Sequence, residues 1–357
     1  MPLGVYVMFG CRSGMIGIVK DTSRRWILVA ACVVTAIGVA TAVATLVTSR
    51  RPSVPPAAVV SNAKPLLPAP PARPFLMFIS LASDDTFKRV VLAPLAAPDE
   101  ARYVTPLNCE RVYYAASRGL CLTVTSTRPG AATYFAHVFD EHFTQLHTVT
   151  LTGAPSRTRL SPDGRRAAFT VFDEGHSYAD GVFSTRTTII DTMAGTAIGD
   201  LESWKVTREG KPFANKDFNF WGVTFAADGN RFYATLRTKG SAYLIEGDVD
   251  ARTARVLMQG AECPSLSPDA TRIAFKKRLG GSKGWWQLSL FNVSTQDVRP
   301  LSGDTESVDD QVEWLDAANL LYFRPNADGN IIWRLRTDVN EPPQPFVRAG
   351  FSPAVVR

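Results

Sequence analysis

One short phrase recurs along the chain and restricts the fold more than any other feature. Residues 159–169 read RLSPDGRRAAF, and residues 265–275 read SLSPDATRIAF. Looser copies are VTFAADGNRFYATL at 223–236 and VEWLDAANLLYF at 312–323. In the first copy a proline ends one β-prone run, an Asp-Gly pair supplies a tight turn, and a second β-prone run follows. Each copy therefore predicts a strand, a turn and a second strand.

The spacing of these turns predicts a β-propeller. The four aspartates of the turns are 65, 41 and 47 residues apart. A period of roughly 40–50 residues, with four short strands in each repeat, is typical of propeller blades. The longest interval contains two polar stretches, 173–181 and 202–217, which we interpret as loop insertions. The residues expected to shape the blade turns are Asp163, Gly164, Asp228, Gly229, Asp269 and Asp316.

The segment at 110–124 and the two ends of the chain complete the ring. Residues 110–124 have the same layout as the phrase, with Arg118-Gly119 as the expected turn. Residues 351–357 read as a lone strand, and 74–107 read as three strands without that partner. Pairing the last strand with the first three removes an open sheet edge. We therefore expect an all-β, six-bladed propeller over 74–357, with one composite blade and others near 108–153, 154–203, 218–260, 261–303 and 308–349.

The phrase also resembles a known repeat. SPDG followed by R-x-x-A-F is similar to the repeat of the TolB-like, WD40-like (PD40) bacterial propellers. The resemblance runs from residue 74 to residue 357, and it implies six blades. TolB itself carries an α/β domain ahead of its propeller, whereas this chain has an apolar run and a linker in that place. The partner contacts of TolB are therefore not carried over to this chain.

The first 73 residues predict export and a membrane anchor. Residues 26–49 contain no charged side chain and are long enough for the about 20 apolar residues that span a bilayer as a helix. We expect 1–25 to be a cytoplasmic tail, 26–48 a transmembrane signal-anchor and 49–73 a linker rich in proline and alanine. A cleaved signal peptide is the alternative. Either outcome places the propeller on the outer side of a bacterial cytoplasmic membrane.

The distribution of charge argues against a nucleic-acid partner. Residues 1–73 hold eight of the 39 Lys and Arg but one of the 33 Asp and Glu, so the net charge of +6 becomes −1 over 74–357. A propeller without a general positive field has no long-range attraction for phosphates.

Few signatures of catalysis occur in the sequence. There is no P-loop, dinucleotide-binding fingerprint or H-E-x-x-H motif. We also expect no nucleophile elbow of the serine-hydrolase type. His137, His142 and His147 lie five residues apart, a spacing that fits no zinc pattern. The sequence therefore predicts no catalytic residue, no cofactor and no metal.

Acidic loop segments support an alternative function. DDT at 84–86, FDEG at 172–175 and VDDQ at 308–311 bring carboxylates close together in sequence. Loop aspartates most often bind nearby backbone amides. If they instead act as acids and bases, the protein would be a cell-envelope enzyme, namely a polysaccharide lyase, a hydrolase or a peptidase-like protein.

Tryptophan and basic residues predict a partner surface. In the pair at 285–286 only one indole can face the core of a sheet, and an exposed tryptophan would serve as an interface anchor. The insertion at 202–217 is a long loop on a rigid scaffold, where binding residues are often found. The candidate contacts are Trp204, Lys205, Arg208, Lys211, Trp285 and Trp286.

A disulfide between Cys109 and Cys121 is left open. If Arg118-Gly119 forms a two-residue turn, Cys121 faces Ala116, and Cys109 lies seven residues further along the partner strand. That separation is too long for a disulfide unless the chain bends back just before Cys109. Spacing alone does not decide between the two arrangements.

These features together predict a monomeric, non-enzymatic, extracytoplasmic scaffold that binds a protein or cell-envelope component through loops at one end of the ring. The alternative is the envelope enzyme. Converging His, Asp or Glu at the mouth of the ring would indicate an enzyme, whereas aromatic or neutral polar side chains would indicate a binding protein.

Overall fold

Twenty-six strands in six sheets make up the described part of the chain. The computed structural model describes residues 64–128, 131–173, 184–279, 285–326 and 329–357. These residues belong to the unit Ala63–Arg357. The predicted tail, the predicted transmembrane signal-anchor at 26–48 and most of the predicted linker lie outside the described residues. Within them, no helix has the length and apolar character needed to cross a bilayer.

Each sheet is one blade, and the blades are named here by their strands. The composite blade begins with β1 (Phe75–Ser80), β2 (Arg89–Pro94) and β3 (Tyr103–Asn108). Blade 1 contains β4 (Arg111–Ala115), β5 (Arg118–Arg128), β6 (Ala131–Asp140) and β7 (Gln145–Leu151). Blade 2 contains β8 (Pro155–Leu160), β9 (Arg166–Phe172), β10 (Thr185–Asp191) and β11 (Thr196–Asp200).

The remaining strands follow the same plan with one addition. Blade 3 contains β12 (Lys205–Arg208), β13 (Lys211–Phe213), β14 (Asn219–Phe225), β15 (Arg231–Thr238), β16 (Ser241–Asp248) and β17 (Thr253–Gln259). Blade 4 contains β18 (Glu262–Leu266), β19 (Arg272–Leu279), β20 (Trp285–Asn292) and β21 (Val298–Pro300). Blade 5 contains β22 (Glu313–Trp314), β23 (Asn319–Asn326), β24 (Gly329–Arg336) and β25 (Gln344–Arg348). The last strand, β26 (Gly350–Val356), returns to β1 and completes the composite blade.

The ring closes as predicted. β26 pairs antiparallel with β1, with Phe75 opposite Val356 and Ser80 opposite Gly350. The innermost strands β26, β4, β8, β14, β18 and β22 contact one another in that order, and β22 contacts β26 again. The six-bladed prediction is confirmed. The core lies between neighbouring blades, where the largest buried side chains include Phe78, Phe139, Phe220, Phe232, Phe275, Phe291, Tyr233 and Tyr322.

The repeated phrase forms the turn between the two inner strands of a blade. In blade 2, Asp163 Oδ1 accepts hydrogen bonds from Ser161 Oγ at 2.5 Å and from the amide of Arg165 at 3.0 Å. Gly164 has a φ of 72°, and a Cβ there would lie 2.8 Å from a carbonyl oxygen of blade 1. Only glycine fits that conformation and that approach without strain.

The aspartates of the other blade turns have the same role. In blade 4 the hydroxyl of Ser267 donates to Asp269 at 2.5 Å and, as the largest cause, lowers the pKa of Asp269 to about 2. Asp228 accepts from the amides of two following residues, and Asp316 does so too. The end of the ring that carries these turns is called the turn end below.

The arginine of the phrase joins neighbouring blades. Arg166 of blade 2 donates to Gly229 O at 3.1 Å and to Asn230 Oδ1 at 2.9 Å, both in the turn of blade 3. Arg272 of blade 4 donates to Ala317 O of blade 5 at 2.7 Å. The two acceptor carbonyls follow Asp228 and Asp316, so they occupy equivalent positions in the repeat. The phrase therefore encodes an inter-blade contact as well as a turn.

The expected turn of blade 1 is wrong by two residues. Ala115 pairs with Arg118, so the turn consists of Ala116 and Ser117, and Arg118-Gly119 already belong to β5. Gly119 makes room for the ring of Phe139 on the neighbouring strand, because a Cβ at this position would lie 2.0 Å from that ring. A glycine that makes room for a ring was misread as a turn residue.

The corrected register permits the disulfide that the sequence left open. Cys121 lies opposite Val112 and not opposite Ala116. Cys109 precedes Val112 by three residues, at the bend between β3 and β4. The structure has a Cys109–Cys121 disulfide with a Cα–Cα distance of 5.4 Å. It therefore fixes the crossing from the composite blade to blade 1.

The polar stretch at 202–217 is not simply a loop. It contains a 3-10 turn at Leu201–Ser203 and the hairpin of β12 and β13. β12 pairs parallel with β17, the outermost strand of the four-stranded part of blade 3. The insertion thus widens this sheet to six strands.

Replacing Arg166 by alanine should weaken the junction between blades 2 and 3. We expect the variant to lose about 1–3 kcal/mol of unfolding free energy, because hydrogen bonds from a charged donor are removed. Urea denaturation of the purified propeller measures this loss. The exposed neighbour Arg165 provides a matched control, and Arg165→Ala should change stability by less than about 0.5 kcal/mol. Equal effects of the two substitutions would contradict the assignment.

Candidate functional site

A cavity opens on the ring axis at the turn end. Its volume is about 300 Å³, and it is lined by the innermost strands of all six blades and by the turns of blades 1 to 4. Four aromatic residues are among those that line it: Tyr113 is partly exposed, whereas Tyr114, Phe225 and Trp314 are largely buried between the blades. Small or rigid turn residues form the rim, namely Ala115, Ala116, Ala227, Ala270, Pro162 and Pro268. We call this cavity the mouth.

An ion pair closes the inner end of the mouth. Arg159 of β8 and Glu313 of β22 are both buried and form a short salt bridge across the axis. The amide of Val355 in β26 donates to Glu313 at 3.2 Å, and the hydroxyl of Tyr113 donates to the same carboxylate at 3.3 Å. Arg159 also donates to Val312 O at 3.0 Å. Four inner strands therefore meet at this carboxylate.

The chemistry of this pair is fixed by its surroundings. Burial, together with the nearby Glu313 carboxylate, raises the pKa of Tyr113 to about 12. Tyr113 therefore remains a hydrogen-bond donor at neutral pH. Of the polar atoms of this pair, the buried Arg159 Nε has no hydrogen-bond partner in the described part of the chain. A second cavity of about 30 Å³ lies beyond the pair and shares Arg159 and Tyr113 with the mouth.

The last residue of the predicted linker lies at the rim. Arg73 donates to Ala116 O at 2.6 Å, to Tyr114 Oη at 3.3 Å and to Arg357 O at 3.2 Å. Arg357 in turn donates to the carbonyl oxygens of Trp314 and its neighbour. The chain that enters the propeller therefore passes beside the mouth.

The predicted partner residues of the insertion have different roles in the structure. Trp204 is 7% exposed and packs edge-on against Phe232, with ring centroids 5.6 Å apart. Placing Trp204 on the partner surface was wrong, because its indole belongs to the core of blade 3. Arg208 lies over the ring of Tyr243 at 5.3 Å. Lys205 and Lys211 are exposed, and a contact with a partner stays a prediction for both.

The tryptophan pair of blade 4 lies apart from the insertion. Trp285 is 44% exposed and lies opposite Leu279, which is 41% exposed. Trp286 is partly buried beneath the cations of Lys276 and Arg278, at 4.8 and 4.7 Å from its ring. Trp285 is thus the exposed member of the pair, as the alternation of a strand requires. The structure does not bring the two predicted groups of partner residues together.

The acidic loop residues serve local structure where they are described. Asp84 accepts hydrogen bonds from the amide and hydroxyl of a threonine two residues later, at 2.8 and 2.6 Å. Asp309 forms an ion pair with the buried ammonium of Lys276. Asp310 accepts from an amide of β23 at 3.0 Å. These carboxylates do not converge on the mouth, in whose lining Glu313 is the one acidic residue.

The histidines of blade 1 bind neighbouring polar groups. His137 lies within hydrogen-bond distance of the hydroxyls of Thr123, at 3.1 Å, and Thr148, at 3.0 Å. His147 reaches the carbonyl oxygen of Met193 at 3.0 Å. Among the described residues, no group of three or more His, Cys, Asp or Glu could hold a metal ion.

One pentapeptide in the sequence has the spacing of a catalytic motif, and its flanking strands decide how it is interpreted. The pentapeptide GGSKG at 280–284 has the G-x-S-x-G spacing of a nucleophile elbow. It lies outside the described residues, between β19 and β20 of one antiparallel hairpin. A nucleophile elbow connects a strand to a helix. Both flanking elements are strands, which is not the strand-to-helix setting of a nucleophile elbow.

The ion pair at the base of the mouth predicts strong coupling between β8 and β22. Arg159→Met and Glu313→Gln should each lower the unfolding free energy by about 3–5 kcal/mol, because each leaves a buried charge without its partner. The double variant should lose less than the sum of the two single losses. Urea denaturation of all four proteins gives the coupling energy. Additive losses would show that the pair does not connect the blades.

A buried carboxylate at the base of the insertion predicts a pH effect. Burial raises the pKa of Glu202 from 4.5 to about 8, although amides of Thr187 and Phe220 donate to its carboxylate. Between these two values the folded protein holds a proton that the unfolded chain has released. The contribution of Glu202 to stability is therefore largest below about pH 4.5 and falls as the pH rises towards 8.

Glu202→Gln should remove this dependence, since the amide oxygen can still accept while no proton is lost. Its unfolding free energy should exceed that of the parent increasingly between pH 5 and pH 9. Glu141→Gln, at an exposed site, is the control and should leave the pH profile unchanged. Parallel profiles for the parent and Glu202→Gln would contradict the raised pKa.

Comparison with solved structures places the fold among known propellers. TolB from Acinetobacter baumannii superposes with a TM-score of 0.54 and 15% identity, over 79% of this chain and 66% of that chain. A putative TolB from Agrobacterium tumefaciens gives a TM-score of 0.48 and 12% identity, over 78% and 90% of the two chains. A puromycin-hydrolyzing peptidase from Mycobacterium tuberculosis gives a TM-score of 0.49 and 13% identity, over 79% of this chain and 45% of that chain.

The likeness to the Acinetobacter TolB concerns the fold alone, since the identity is below 25%. This chain spans 66%, just under two thirds, of the Acinetobacter TolB. No protein-family model matches the sequence, and no curated protein matches it. The resemblance read from the repeated phrase agrees with the superposition. The chain is a six-bladed β-propeller with the TolB-like fold.

Proposed function

We propose that this propeller is a non-enzymatic binding protein whose mouth receives a segment of a protein or cell-envelope partner. One observation carries the proposal. Four aromatic residues and a rim of alanines and prolines line the mouth, and the acidic residue in its lining, Glu313, is engaged by Arg159, Tyr113 and the amide of Val355. Tyrosine and tryptophan are enriched among the few residues that carry most of the binding energy at protein interfaces.

The size and chemistry of the mouth suit an inserted side chain. A volume of about 300 Å³ is at the lower limit of small-molecule pockets and can hold one or two large side chains. The lining of the mouth is more apolar than polar, and the Arg159 guanidinium at its base is buried and engaged by Glu313 and by Val312 O. A large apolar side chain of an extended segment fits this volume and this lining.

The same geometry weighs against the alternative of an envelope enzyme. A general acid or base must reach the substrate and exchange a proton near the working pH. Glu313 is buried, and its oxygens accept from an arginine, a tyrosine and an amide. Tyr113, with a pKa of about 12, does not release its proton at neutral pH. Neither group is arranged for proton transfer.

We further propose that the protein works outside the cytoplasm as a monomer tethered by residues 26–48. The disulfide between Cys109 and Cys121 supports an oxidising compartment. The hydrogen bonds of Arg73 bring the end of the linker to the rim of the mouth. On this view, Arg73 at the end of the linker lies at the same end of the ring as the bound partner segment.

Blocking the mouth tests the proposal. Ala227 is exposed on the rim, and Ala227→Trp should fill the opening without disturbing a buried side chain. Ala132, exposed in blade 1 outside the mouth lining, provides the control Ala132→Trp. The probe is the tightest-binding peptide selected on the purified propeller from a random 12-residue library. Isothermal titration calorimetry should show that Ala227→Trp lowers the affinity for this peptide at least tenfold and that Ala132→Trp leaves the affinity unchanged.

Two results would overturn the proposal. Equal affinity of the selected peptide for all three proteins would place binding elsewhere on the ring. Turnover of cell-wall polysaccharide or peptide by the purified propeller, lost in Glu313→Gln, would identify an enzyme.

A further inference from the structure

A second concave surface lies at the turn end, beside the mouth. It is an open cleft of about 750 Å³ on the side of blade 3. One wall is the inserted strand β12, through Lys205 and Thr207. The other is the blade turn, through Asp228, Asn230 and Arg231. We call this surface the blade 3 cleft.

The insertion gives the cleft its outer wall. A plain four-stranded blade would end at β17, but β12 adds a parallel strand along that edge. Val206 is buried and points into the core, whereas Lys205 and Thr207 on either side of it are exposed. The indole of Trp204, packed against Phe232, fixes the start of the strand. The wall is therefore built into the fold.

The mouth and the cleft are adjacent along one turn. Ala227 lines the mouth, and Asp228, the next residue, lines the cleft. Two hydrogen bonds stabilise this turn. Arg166 of blade 2 donates to Gly229 O, and within the turn the amide of Asn230 donates to Asp228 Oδ1. A segment leaving the mouth over Ala227 therefore passes directly into the cleft.

The cleft differs from the mouth in chemistry. Glu246 is 16% exposed at its base and forms ion pairs with Arg231, at 4.0 Å, and with Arg255. Lys205 adds a cation on the outer wall, and Asp228 adds a carboxylate on the inner wall. The described lining residues include no aromatic ring. Groups of both charge signs and no apolar wall suit a polar extended peptide.

We propose that the partner segment anchored in the mouth continues over Ala227 into the blade 3 cleft, and that this cleft recognises a polar stretch of the same polypeptide. This inference rests on the proposed function of the mouth. It assigns the insertion at 202–217 to partner recognition. An apolar anchor beside a polar contact region is the usual composition of a protein interface.

The test compares two peptides and two blocked proteins. The long peptide is the 12-residue sequence selected on the parent propeller. The short peptide is the six-residue fragment of the long peptide whose affinity falls most when the propeller carries Ala227→Trp. Thr207→Trp obstructs the cleft, and Ala132→Trp is the matched control, because it adds the same side chain at an exposed position of blade 1 outside the mouth and the cleft. Calorimetric affinities are measured for both peptides, and thermal unfolding verifies that each variant is folded.

Thr207→Trp should lower the affinity of the long peptide at least tenfold and leave the affinity of the short peptide unchanged, while Ala132→Trp should change neither affinity. Full affinity of the long peptide for Thr207→Trp, combined with a lower affinity for Ala227→Trp, would refute binding in the cleft and leave the proposal of binding in the mouth standing. Full affinity for both blocked variants would refute both proposals. If Thr207→Trp unfolds at a lower temperature than the parent, Lys205→Glu replaces it, with the same expected loss.

Discussion

The pairing of β26 with β1 is the constraint on which the rest of the structure depends. It removes the open edges of the composite blade and brings the last residues of the chain to the ring axis. Val355 in this strand donates its amide to Glu313, and Arg357 reaches the carbonyl oxygen of Trp314. Without the closing strand, the mouth would lose one wall and its buried carboxylate would lose a donor.

Contacts near the axis and contacts at the rim hold the blades together. Near the axis, Arg159 and Glu313 connect blades 2 and 5 across the ring. At the turn end, Arg166 and Arg272 each connect one blade to the next through a turn carbonyl. These bonds join blades 2 and 3 and blades 4 and 5 at the rim of the mouth. A rigid rim lowers the conformational entropy that binding would otherwise cost.

Much of the fold could be predicted from local patterns, whereas most of the site could not. The Asp-Gly turns and their period predicted the blades because a turn and its two strands depend on neighbouring residues. The terminal strands predicted the closure because an open sheet edge requires a partner. Gly119 and Trp204 were misread because their roles depend on partners distant in sequence. Gly119 makes room for the ring of Phe139, and Trp204 packs in the core of blade 3 against Phe232.

The sequence by itself determined the all-β class, the number of blades, the closure by the last strand and the structural role of the turn aspartates. These features follow from the short-range rules of turns and strand pairing. Only the tertiary structure decided that Tyr113, Arg159 and Glu313 meet at one point, and that the insertion adds strands beside blade 3. Arg159 and Glu313 are 154 residues apart in the chain, and no local pattern relates them. The ring brings them together because every inner strand must face the same axis.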